Sequence, residues 1–148
     1  TQQTSIWTVP CAISASTTST AQICSGASRR AFDRLIDAAL EREVTFLLLA
    51  GDLYDGDWRD YNTGLFFIDR MRRLRQAGIR VFIAAGNHDA ATVISRSLPL
   101  PDNVHWFSCH TPESVSIDSL NLAVHGFSHP NRHYRNNPIP DYPAPIPG

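Results

Sequence analysis

The sequence predicts an α/β fold, and three observations carry that expectation. Residues 44–50 and 79–84 are short, nearly continuous apolar runs, the pattern of strands buried on both faces. Each run leads into a glycine-containing polar cluster, Gly51-Asp52 in one case and Gly86-Asn87-His88-Asp89 in the other. The segment between them has helical spacing, so strand, helix and strand form a βαβ unit with a right-handed crossover.

Residues 1–25 stand apart from this pattern. They are dense in Ser and Thr, hold Cys11 and Cys24, and show neither strand nor helix periodicity. No charged side chain occurs before Arg29, and such a composition alone reads as a disordered tail. The expected division is therefore an anomalous segment, 1–25, followed by a domain over 26–148.

Regular patterning begins at Ser28-Arg29-Arg30. Phe32, Leu35, Ile36, Ala39 and Leu40 share one helical face, and Arg34, Asp37 and Glu41 the other. The first strand follows, then a polar loop over 51–63. A second helix is expected over 62–76, with Leu65, Ile68, Met71 and Leu74 inward and Gly78 as its stop. After the second strand, 93–98 reads as a short helix ended by Pro99 and Pro101. Residues 104–107, 114–117 and 120–125 read as short strands, and the prolines from Pro138 to Pro147 exclude regular structure at the end.

Bulk properties narrow the function classes. A net charge of -1 gives no global attraction to nucleic acid or anionic membrane. All 13 basic residues are Arg, which suits phosphate contact but also fits a coding bias. The odd set Cys11, Cys24 and Cys109 matches neither a disulfide framework nor a zinc pattern, so a cytoplasmic setting is expected. No apolar run reaches membrane-spanning length, and no membrane association is expected.

The chemistry-bearing residues sit where the fold would gather them. In open α/β sheets ligands bind beyond the carboxyl ends of the strands. Asp52 and Asn87-His88 follow two strands separated by one crossover, which sets them on one rim. A carboxylate, an amide oxygen and an imidazole suit divalent ions such as manganese, iron or zinc. Each residue alone reads more simply, Asp52 as a turn residue and Asn87-His88 as a surface turn. Together, in this spacing, they favour a site.

The pair Leu49-Ala50-Gly51-Asp52-Leu53-Tyr54-Asp55 and Ala85-Gly86-Asn87-His88-Asp89 resembles the GD and GNHD motifs of calcineurin-like metallophosphoesterases. The intervening residues 56–63 are most similar to the branch of SbcD-type DNA-repair exonucleases. The resemblance covers 26–148. It implies part of a β-sandwich flanked by helices, with the first strand and the C-terminal half missing or degenerate. It also implies that Asp52 bridges two divalent metal ions, manganese being the expected metal, and that Asn87 binds the second. His88 would contact the scissile phosphate or protonate the leaving oxygen. Two ions about 3.5–4 Å apart can hold a hydroxide for in-line attack and neutralise phosphoryl charge. Asp89 would orient the loop or the His88 ring. The implied function is metal-dependent phosphodiester hydrolysis on DNA, with an ATPase partner subunit. The alternatives are a small-molecule phosphodiesterase or phosphatase, and a non-catalytic fragment.

Other polar residues read more plainly. Asp55, Asp57 and Asp60 are expected as solvated loop carboxylates. Arg70, Arg72, Arg73 and Arg75 are expected as a solvated helix face, with a DNA-backbone patch as the alternative. His105, His110, His129 and His133 lack ligand-like spacing. His125 is expected in a structural role, with a site-facing one as the alternative.

The resemblance has gaps. The family's opening Asp-x-His motif is absent before the first helix, and its later histidine group does not appear by Gly148. Trp is encoded only by TGG and every Thr codon begins AC, so a shifted frame across Trp7-Thr8 must read GAC, which is Asp. The same shift permits Asp-Ile-His across 3–6. The expectation is that 1–25 is read out of frame, with an ordinary divergent tail as the alternative. With most metal ligands absent, little or no hydrolase activity is expected of the chain as written.

Overall fold

The structure, a computed structural model, describes residues 18–51, 53, 61–87, 89 and 99–144, with the backbone alone at 18–26 and 61. The expected helix at 93–98 and the carboxylates Asp55, Asp57 and Asp60 lie outside the described residues.

The first helix, α1 (Thr18–Glu41), starts ten residues before the expected Ser28. Residues 18–27 contain no Pro, so a helix nucleated by the amphipathic turns after Arg29 can propagate back through them. Ile36 and Ala39 are buried, and Phe32, Leu35 and Leu40 pack beside them. The helix ends with Glu43 N–H bonded to Leu40 O and Val44 N–H to Ala39 O, and Glu43 takes the left-handed conformation at φ 49°. That is a Schellman closure with a residue other than glycine at the left-handed position.

Strand β1 (Phe46–Gly51) pairs in parallel with β2 (Arg80–Ala85), in register from Phe46–Arg80 to Gly51–Ala85. Helix α2 (Tyr61–Gln76) connects them. Its buried stripe contains Phe67, Ile68, Met71 and Leu74. Leu65, expected inward, is instead 46% exposed. Phe67, four residues before Met71 and seven before Leu74, lies on the buried face, and Leu65, two residues from it, turns outward. Gly78, at φ 74°, closes the helix as expected, with Gly78 N–H on Arg75 O and Ile79 N–H on Leu74 O.

Strand β3 (Val104–Trp106) adds in parallel to β2, giving the order β1-β2-β3. Strands β4 (Glu113–Ile117) and β5 (Leu122–Gly126) form a separate antiparallel hairpin. Alternation along the parallel strands builds two cores. Leu47, Leu49, Val81 and Ile83 face α1 and α2. Phe46, Leu48 and Phe82 face the hairpin, where Phe107, Ile117, Val115, Leu122 and Val124 cover them. The layers are thus helices, parallel sheet and hairpin: two sheets pack face to face and helices cover one side, in line with the expected partial β-sandwich flanked by helices.

Among the described residues β1 is the sheet edge, and a groove of 240 Å³ runs along it, lined by α1 and by Val44, Phe46, Leu47 and Leu48. An apolar edge of this kind is a pairing and aggregation hazard. No helix of the described residues is long and apolar enough to cross a membrane.

The two helices are joined by charge as well as by core packing. Arg70 Nε lies 2.7 Å from Asp33 Oδ1, with its guanidinium 3.8 Å from the Phe66 ring centroid. Arg73 reaches Asp37 at 2.7 Å. Arg75 grips Asp102 through both oxygens, at 2.5 and 2.7 Å, and its hydrogen bond holds that carboxyl below the ordinary value.

Candidate metal centre

The rim beyond β1 and β2 is set by backbone register. Gly51 and Ala85 are partners, so positions 52 and 86 are the first residues past a matched pair of strand ends. Gly86 N–H reaches across to Gly51 O at 3.2 Å. Positive φ at Gly51, 99°, turns the chain out of the strand just before Asp52, and only glycine holds that conformation without strain.

Asp89 ties the two loops together. It is buried, at 2% exposure, and its Oδ2 accepts from Leu53 N–H and from Gly86 N–H, each at 3.0 Å. One donor follows Asp52 and the other precedes Asn87. A buried carboxylate between two backbone donors forms strong, charge-assisted bonds. The expected loop-orienting role of Asp89 therefore has direct geometry behind it.

Asn87 is half-buried in the turn after β2, and no described residue hydrogen-bonds its amide. Its oxygen is available as a hard donor. Asp52 and His88 lie outside the described residues. In sequence they adjoin Gly51, the last residue of β1, and Asn87, in the turn after β2.

A second strap holds the rim from the hairpin side. After β5, Ser128 N–H donates to Ser108 O at 2.9 Å, and buried Ser128 Oγ donates to Phe107 O at 2.6 Å while accepting from Ala85 N–H at 3.1 Å. His129 N–H then donates to Ala85 O at 2.9 Å. His129 is thereby fixed beside the end of β2, next to Gly86 and Asn87. Its Nδ1 is buried with no partner among the described residues, and its ring packs edge-on to Tyr134. Sequence spacing left His129 unassigned. The readable signal was a histidine three residues past a strand-ending glycine, the kind of place where the β1 and β2 motifs also sit.

His125 and His105 are engaged in and beside the hairpin. His125 Nδ1 bonds Ser114 Oγ at 2.6 Å across the β4–β5 ladder, a structural role as expected. His105 Nε2 lies 2.8 Å from Glu113 Oε1, which also accepts from Ser108 N–H. Of the arginine cluster on α2, Arg70, Arg73 and Arg75 are ion-paired, and among the described residues only Arg72 has no partner, so the positive charge of the cluster is mostly compensated.

Of the expected donors, Asn87 is the one among the described residues, and it offers one amide oxygen to a divalent ion. Among the described residues no group of three or more His, Cys, Asp or Glu side chains could hold an ion.

The chain belongs to the calcineurin-like phosphoesterase family, which it matches over residues 24–145. That family consists of hydrolases that use divalent metal ions. The chain is 38% identical over 111 residues to an uncharacterized metallophosphoesterase, YhaO, of Bacillus subtilis, covering 73% of this chain and 27% of that protein. It is 34% identical over 59 residues to the DNA double-strand break repair protein Mre11 of Sulfurisphaera tokodaii, covering 40% of this chain and 15% of that one. The chain thus spans about a quarter or less of the length of these relatives.

Proposed function

We propose that this chain carries the β1–β2 part of a metal-dependent phosphodiesterase whose substrate is DNA. Asp52 and Asn87 are its metal ligands, His88 contacts the scissile phosphate, and manganese is the ion. The observation that carries this reading is the buried Asp89 carboxylate joining the Leu53 and Gly86 amides. A turn with no task does not need a buried charge to lock two loops together. Likeness to Mre11 supports DNA as the substrate class, and an ATPase partner subunit belongs to the same reading.

The roles follow from the groups. A bound divalent pair supplies Lewis acidity and a hydroxide at neutral pH. Asp52 and Asn87 offer oxygens to it. His88, next to Asn87 in sequence, donates a proton to the leaving oxygen in this reading. Asp89 keeps the two loops at fixed separation.

Because two ligand positions hold divalent ions weakly, the 148-residue chain is expected to show little or no manganese-dependent hydrolysis of bis(p-nitrophenyl) phosphate or of linear DNA. Strong turnover abolished by Asp52→Ala would overturn the impaired activity while keeping the site. Strong turnover unchanged by Asp52→Ala would overturn the site itself.

A further inference from the structure

We propose that the segment leaving β5, from His129 to Arg135, is a contact for the sugar-phosphate backbone of a nucleic-acid strand lying across the rim. This rests on the phosphodiesterase reading above and assigns the strand contact to particular residues.

Three observations converge on it. The first is position. The His129 N–H bond to Ala85 O fixes the start of the segment beside Gly86 and Asn87. Arg132 follows three residues later, a chain distance of at most about 10 Å. The second is charge. Arg132 and Arg135 are exposed and have no ion-pair partner among the described residues, while three of the four α2 arginines are neutralised by Asp33, Asp37 and Asp102. The segment contains no carboxylate, and the next one along the chain, Asp141, lies six residues beyond Arg135. Free guanidinium groups with no internal carboxylate are those able to pair with phosphate.

The third observation is preorganisation. Tyr134 packs between Phe127 and His129, at ring-centroid distances of 5.6 and 6.1 Å. Asn131 Oδ1 accepts from His133 N–H at 3.0 Å, and Asn137 Oδ1 from Ile139 N–H at 3.1 Å. Local Asx closures, with Pro130 and Pro138 flanking them, fix the backbone before a ligand arrives, so binding loses less conformational entropy. A loop so held presents Arg132 and Arg135 as a ready pair for two phosphates of one strand.

The test uses fluorescence anisotropy of a labelled oligothymidylate at low salt, with EDTA to prevent cleavage. Arg132→Ala/Arg135→Ala is compared with Arg30→Ala/Arg72→Ala, two exposed arginines of the helical layer, one on each helix, with no ion-pair partner among the described residues. Loss of the loop pair is expected to weaken binding about tenfold and to flatten the salt slope by about 1.4, the value for two single-strand phosphate contacts. The helical-layer variant should stay within about twofold of the parent. Equal weakening in both variants, or an unchanged loop variant, overturns this inference while leaving DNA as the substrate. An oligonucleotide that does not bind the parent chain overturns the inference together with the DNA reading.

Discussion

Replacing Asp89 with alanine is expected to destabilise the chain by about 2 kcal/mol, because Leu53 N–H loses its acceptor and Gly86 N–H loses the shorter of its two. Leu53 N–H and Gly86 N–H both point at Asp89 Oδ2; Gly86 N–H keeps Gly51 O at 3.2 Å, and no other acceptor for Leu53 N–H appears among the described residues. Asp89→Asn keeps an oxygen in that place and loses only the charge, at about 1 kcal/mol. Urea denaturation measures both: the midpoint should fall steeply for alanine and slightly for asparagine, at similar slope. An Asp89→Ala midpoint equal to that of the parent would mean that the carboxylate does not hold the two loops together.

The second large effect is expected at Gly126. A Cβ there would overlap the ring of Phe107, which is buried against Phe82 and Ile117 in the core under the hairpin. Overpacking of this kind costs about 1–3 kcal/mol, and the tightness of the contact places Gly126→Ala at the upper end. The displaced ring would also disturb Phe107 O, the acceptor for Ser128 Oγ, and with it the strap that fixes His129. In a Phe107→Ala background the glycine substitution should cost far less, since the obstacle is gone. Additive costs in the double variant would show that the ring is not the obstacle.

How much of this was legible in the sequence depends on the range of the interaction. The βαβ unit over 46–85 follows from local periodicity and from Gly78, and the structure places β1, α2 and β2 within one or two residues of expectation. The inward stripe of α2 was displaced because hydrophobic spacing alone does not choose between Leu65 and Phe67. The start of α1 was missed because Ser/Thr-rich sequence has no amphipathic face to read. Asp89 was legible as a loop-orienting residue through its motif. Ser128 and His129 were not, since their partner Ala85 lies more than forty residues away and such hydrogen bonds leave no periodic trace. The α2 arginines looked alike in sequence, and only the packing of α1 against α2 shows that Arg70 and Arg73 are matched by Asp33 and Asp37.

The central claim is that the β1–β2 rim supplies metal ligands at Asp52 and Asn87. Titration of manganese into the chain, followed by loss of the free-ion electron paramagnetic resonance signal, tests it most directly. The account predicts weak binding that disappears in Asp52→Ala and in Asn87→Ala, with both variants folded by circular dichroism. Binding that survives both substitutions would contradict it, as would a parent chain that takes up no manganese at all.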